Sequence, residues 1–221
     1  MKRLLRENAL TIVLMSLFLA SLIGQAVTGY RVHREDELEH GGVPVRFAAY
    51  LTSAHFVEAT FENWESEFLQ MAAYVLLTIS LRQKGSAESK PLTGDQPVDE
   101  DPRRARKRPG VPWPVRRGGW VLRVYENSLS LALVMLFAGS FMLHAWGGVH
   151  EHVRESLQHG LAVRASVIDY LSTSRFWFES FQNWQSEFLS VAAIVVLSIY
   201  LRQRGSPESK PVAAPHAETG E

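Results

Sequence analysis

The sequence contains no cysteine, which removes three chemistries at once: a disulfide framework, a thiolate metal site and a cysteine nucleophile. It has no net charge either. Its 23 basic residues meet 23 acidic ones, which argues against a chain-wide nucleic-acid or heparin binder. Enzyme templates are missing as well. There is no phosphate-cradling glycine loop with its lysine, no Gly-x-Ser-x-Gly, no His-Glu-x-x-His and no dinucleotide fingerprint. Gly41-Gly42 and Gly118-Gly119 read as hinges or turns. The chain is read as a non-enzyme, and no cofactor is implied.

What it does have is apolar residues, 46% of the chain, crowded into four runs. The first, Asn8 to Tyr30, carries no ionised side chain. As a helix its 23 residues reach about 34 Å, against a hydrocarbon core of about 30 Å. The third, Asn127 to Val149, is comparable. The second, Phe68 to Leu81, and the fourth, Phe188 to Leu201, reach spanning length with aromatic prefaces that begin at Phe61 and Phe176. Four transmembrane helices are predicted.

Those four read as two copies of one pair. Phe61-Glu62-Asn63-Trp64-Glu65-Ser66-Glu67-Phe68-Leu69 returns as Phe181-Gln182-Asn183-Trp184-Gln185-Ser186-Glu187-Phe188-Leu189. Leu81-Arg82-Gln83-Lys84-Gly85-Ser86-Ala87-Glu88-Ser89-Lys90-Pro91 returns as Leu201-Arg202-Gln203-Arg204-Gly205-Ser206-Pro207-Glu208-Ser209-Lys210-Pro211. Glu7-Asn8 matches Glu126-Asn127, and His40-Gly41 matches His159-Gly160. Chance does not give matches of this length in register. The predicted fold class is all-α: an integral membrane four-helix bundle built by tandem duplication of a two-span helical hairpin. The first repeat takes residues 1–85 and the second 120–206, with a disordered linker over 86–119 and a disordered tail over 207–221.

Each repeat crosses twice, so both copies enter from the same side and a pseudo-twofold should run along the membrane normal. Lys2, Arg3 and Arg6 flank the first span, and Arg82 and Lys84 follow the second. Arg116, Arg117 and Arg123 precede the third, and Arg202 and Arg204 follow the fourth. Acids outnumber bases between Tyr30 and Phe68 and between Val149 and Phe188. By the positive-inside rule both termini and the middle segment are cytoplasmic. Residues 1–26 also have the look of a secretory signal, but the matching segment at Asn127 is internal, which favours an uncleaved anchor. Trp113, Trp120 and Tyr125 fall at the inner headgroups; Tyr30, Trp64, Trp146, Trp177 and Trp184 fall at the outer ones.

The linker holds six of the ten prolines and the basic tract Arg103, Arg104, Arg106, Lys107 and Arg108. Such a composition buries no core. Held at the inner face, it would gain about 1 kcal/mol per basic residue from anionic lipid, or serve only as a topology signal. Nucleic acid is not expected there.

Glu67 and Glu187 stand out. Fourteen residues before Leu81, Glu67 lies about 21 Å from the cytoplasmic end of its helix, which places it inside the outer leaflet. An ionised group facing lipid there costs at least a few kcal/mol, so it must face the interior, snorkel or carry a proton. Asn63 lies one turn from Glu67, and Asn183 one turn from Glu187, so amide and carboxylate share a face. Two readings are open. In one, the Asn/Glu pairs meet near the pseudo-axis and hold the helices together. In the other, they line a proton or cation path or a small polar site.

Seven of the eight histidines fall at or beyond the outer boundary. His150 and His152, with Glu151 between them, offer metal ligands, although their spacing matches no specific site. Ser16, Ala20, Gly24 and Thr28 form a small-residue seam along the first helix, suited to close packing or to a dimer. Val43 to Leu51 and Leu161 to Leu171 are mixed segments suited to lying flat on the outer surface. Ser53 and residues 172–174 supply N-caps for the second helix of each repeat, and Gly85 and Gly205 are placed to end those helices.

The Asn-Trp-Glu/Gln-Ser-Glu-Phe-Leu block and the Leu-Arg-Gln-Lys/Arg-Gly-Ser-x-Glu-Ser-Lys-Pro block resemble a bacterial family of small membrane proteins known only as a domain of unknown function. The resemblance implies a bacterial inner-membrane protein and brings no activity or catalytic residue. The leading expectation is a non-enzymatic membrane scaffold or stress accessory, with the bilayer, other membrane proteins or a second copy as partners. The alternatives are a small transporter or channel lined by Asn63, Glu67, Asn183 and Glu187, and an outer-face metal or haem binder.

Overall fold

The computed structural model describes residues 2–94, 96–161 and 165–220. Among them the protein is all-α, with nine helices and no strand. In order these are α1 (Lys2–Glu7), α2 (Ala9–Glu39), α3 (Phe47–Tyr50), α4 (Ala54–Ser80), α5 (Trp113–Arg117), α6 (Gly119–Glu126), α7 (Ser128–Gln158), α8 (Val167–Leu171) and α9 (Ser174–Tyr200). The long elements recur in equal lengths: α2 and α7 have 31 residues each, α4 and α9 have 27.

Local chemistry explains the boundaries. Asn8 leaves the helical region at φ −121°, ψ 18°, and Asn127 does so at φ −113°, ψ 10°. A short amide that competes for backbone groups suits such a break: Asn127 Nδ2 donates to the Arg123 carbonyl at 2.9 Å. Ser53 Oγ accepts from the Phe56 amide at the start of α4, and Thr173 Oγ1 accepts from the Phe176 amide at the start of α9, both at 3.3 Å. At the other end the expected glycines are not the terminators. Arg82 and Arg202 fold their guanidinium groups back onto the final carbonyls, reaching Ile79 and Ile199 at 3.1 Å. Gly85 and Gly205 lie in the turn beyond, each at φ +85°, where a side chain would be strained. In both turns a serine closes the loop: Gln83 N donates to Ser89 Oγ at 2.8 Å and Gln203 N to Ser209 Oγ at 2.9 Å.

Two of the four expected spans, α2 and α7, are long and apolar enough to cross a membrane. A core helix of a water-soluble protein also passes that test but is mostly covered. Here only 6% of the apolar stretch of α2 and 17% of that of α7 is buried. Helices α4 and α9 are long enough at about 1.5 Å per residue but are interrupted by polar groups, among them Glu58, Glu62, Glu65 and Glu67 in α4.

The chain divides into two compact units. One comprises Met1–Phe61 with Met142–Phe176, the other Glu62–Phe141 with Trp177–Glu221. The first is organised around glycines. Tyr50 and Tyr170, the buried tyrosines of α3 and α8, lie over Gly29 and Gly148, where a β-carbon would strike the phenol. Gly147 lies against the backbone of Glu58, with room for no side chain. Leu161 to Leu171 is described only in part, since 162–164 lie outside the described residues; its later portion forms α8 behind a Ser166–Asp169 capping box. The predicted small-residue seam is exposed, and a β-carbon on Gly24 meets nothing within 4 Å.

The second unit packs aromatic rings between α7 and α9. Phe137 lies 6.5 Å from Trp184 and Phe141 6.5 Å from Trp177, while Phe181 and Trp184 meet edge-on at 5.4 Å. The linker, expected to lack order, holds a 3-10 turn at Pro97–Asp99 and a chain of hydrogen-bonded turns from Asp101 to Arg108. The Lys210 ammonium is buried and donates to the carbonyls of Pro215, His216 and Glu218, drawing the tail around itself. Composition gave no sign of this, because backbone acceptors are present in any sequence.

Candidate functional site

The polar groups of α4 and α9 meet, but not in the predicted combination. Asn63 and Glu67 are exposed, whereas Glu65 is fully buried and Ser66 nearly so. Trp184 Nε1 donates to Glu65 Oε1 at 2.9 Å. Asn183 Nδ2 donates to Glu62 Oε1 rather than to either predicted glutamate. Glu187 is half-buried and lies close enough to Glu67 for the two carboxylates to repel one another. Of the four predicted residues, then, Asn183 alone forms one of these cross-helix bonds. Glu62 and Glu65 were missed. A signal for them was present in the sequence: Glu62 and Glu65 stand where the similar segment at 181–189 has Gln182 and Gln185.

The basic tract is partly occupied by its own neighbours. Arg108 pairs with Glu100 at 2.7 Å and Arg103 with Asp101 at 3.3 Å. Arg106 donates to the carbonyls of Arg116 and Arg117. Arg104 and Lys107 are exposed.

His150 and His152 do not converge. They are two residues apart on α7, so their side chains point about 200° apart around the helix. His150 Nδ1 donates to the Trp146 carbonyl at 2.7 Å and its ring lies on that of Trp146. His152 lies near Tyr170 instead. Among the described residues no group of three or more His, Asp or Glu is disposed to hold a metal ion.

The first unit contains a polar cavity of about 310 Å³ that sequence reasoning did not find. Helix α2 contributes His33 and Asp36 with His40 just beyond its end, and α4 contributes His55. Helix α7 adds Glu151, Arg154 and Glu155, and His159 follows. Arg154 organises the wall. Its Nε donates to both Glu151 oxygens at 3.1 Å, and its Nη1 reaches Asp36 at 3.1 Å and Glu37 at 2.6 Å. Those carboxylates, Glu151 first, hold the guanidinium pKa above its ordinary value. Arg175 reaches Glu155 Oε1 at 3.2 Å, and its hydrogen bond holds that carboxyl below the usual range.

The histidines face one another. The rings of His33 and His55 lie 5.2 Å apart, and those of His40 and His159 lie 6.1 Å apart. Tyr50 Oη and His55 Nδ1 share a hydrogen bond of 3.2 Å. Burial pushes the His55 pKa down. His33 is 6% exposed, and its Nδ1 has no hydrogen-bond partner among the described residues.

The whole chain, residues 1–221, matches a family described as Domain of unknown function (DUF6766), and the protein belongs to that family. No curated protein and no solved structure matches it.

Proposed function

We propose that this member of the family is a bacterial inner-membrane protein of four spans, formed by duplication of a two-span hairpin. The termini and linker face the cytoplasm, and the protein acts as a non-enzymatic scaffold. The observation that carries this reading is the pair of bonds from Asn183 and Trp184 to Glu62 and Glu65. Within lipid, polar groups that satisfy one another across helices hold those helices together, each bond worth about 0.5–2 kcal/mol. Acids used in this way serve architecture. The scarcely buried apolar stretches of α2 and α7 support the bilayer setting, since exposed hydrocarbon on that scale needs lipid or protein against it.

The absence of cysteine makes the placement easy to test. Single-cysteine variants Glu39→Cys and Ala105→Cys are treated in intact cells with a maleimide that cannot cross the inner membrane. Residue 39 should be labelled at once and residue 105 only after permeabilisation. Labelling of residue 105 from outside refutes the orientation. Crosslinking in native membranes tests the scaffold role, which requires the same neighbouring membrane protein, or a second copy, to be recovered repeatedly.

The proximity of Glu67 and Glu187 favours a second reading, a narrow cation path past two repelling carboxylates. Flux into proteoliposomes decides between the two. That path requires transport that fails when both glutamates become glutamine.

A further inference from the structure

We propose that the cavity between the ends of α2 and α7 binds a small organic cation bearing primary ammonium groups, with His33 Nδ1 as one of its acceptors.

Four observations support this assignment. The cavity, about 310 Å³, is at the lower end of the range typical of small-molecule sites. Its charge is negative: the lining carboxylates Asp36, Glu151 and Glu155 outnumber the one lining arginine, Arg154, by two. Arg154 is already shared among three carboxylates, so it has little left to offer an anion. Finally, His33 is more than nine-tenths buried, lines the cavity and leaves its Nδ1 without a partner among the described residues. A buried ring nitrogen left without a partner is costly, and a ligand N–H would remove that cost.

The alternatives fit less well. A chelated metal needs several converging donors, and none of the described residues are so grouped. An inorganic anion would enter a field of its own sign. A primary ammonium supplies N–H donors to a neutral imidazole and to carboxylate oxygens, and a diamine matches the two surplus negative charges. His40, His55 and His159 complete the wall.

The test is calorimetric titration of the full chain in detergent micelles at pH 7.5, with 1,4-diaminobutane as probe. Micelles expose both faces, so the result does not depend on the membrane orientation proposed above. One-to-one saturable binding is expected, weakened at least tenfold by His33→Phe, which keeps a ring against Tyr50 and His55. In case the variant fails to fold, the unaltered chain is also titrated with the bis-trimethylammonium analogue of the probe, which has no N–H. That analogue should bind at least tenfold more weakly. The proposal is overturned by any of three results: no saturable binding, equal affinity for the two probes, or tighter binding of zinc or inorganic phosphate than of the diamine.

Discussion

Trp184 donates its indole N–H to Glu65 across 2.9 Å, and the acceptor is shut off from its surroundings altogether. Removing the donor leaves a buried carboxylate one bond short. Trp184→Phe should therefore destabilise the chain by about 1–3 kcal/mol. Glu65→Gln, whose amide oxygen still accepts, should cost less than Trp184→Phe. Denaturant titration in micelles measures both, and equal losses would show that the bond contributes nothing.

Glycine tolerance should divide by position. A β-carbon at Gly148 would lie 2.5 Å from the Tyr170 ring, whereas at Gly24 it would meet nothing within 4 Å. Overpacking of this kind costs about 1–3 kcal/mol, so Gly148→Ala should lower the thermal midpoint and Gly24→Ala should not. If Gly24→Ala proves damaging, that seam contacts a second molecule.

Arg154 should be hard to replace. Arg154→Gln leaves Glu151, whose side chain is only 5% exposed, without its guanidinium, and frees Asp36 and Glu37 to repel one another. A loss of at least about 2 kcal/mol is expected. Arg154→Lys should recover only part of it, because an ammonium cannot span three carboxylates as a planar fork does. Full recovery by lysine in the same unfolding assay would reduce the cluster to simple charge balance.

Acid should destabilise the first unit in two stages. Burial lowers the His55 pKa, so the unfolded chain takes up that proton first. The stability it contributes is complete above about pH 6.5 and fades as pH falls through the folded-state value. The Arg175 hydrogen bond lowers Glu155. At Asp36 burial raises the carboxyl, but the hydrogen bond and charge of Arg154 together carry it below its usual value. These contributions are present above about pH 4.5 and vanish below it, which is the same sign. The thermal midpoint should be level from pH 8 to 7, decline below about 6.5 and drop further below about 4. His55→Asn should flatten the first decline and leave the second.

Much of the architecture was legible in sequence because it depends on local chemistry. Asn8 and Asn127 mark helix breaks, Ser53 and Thr173 cap long helices, and the apolar runs at Asn8 and Asn127 become α2 and α7. The site was less legible. The spacing of Asn63 and Glu67 identifies a shared face but not which face meets another helix. Glu65, about 200° around the helix from Glu67, takes the bond from Trp184 of α9, while Glu67 comes near Glu187 of the same helix. The cavity around Arg154 was hidden for a related reason: Asp36 and Arg154 are 118 residues apart, and no periodicity links them. The Lys210 anchor uses backbone oxygens, which leave no trace in composition.

The acceptors Glu62 and Glu65 belong to one half of the chain, and the donors Asn183 and Trp184 to the other. Where the first half has acids, the second has the neutral amides Gln182 and Gln185. The two segments are therefore complementary, like plug and socket. Cut within the linker and produced as separate polypeptides, they should seek one another in preference to their own kind.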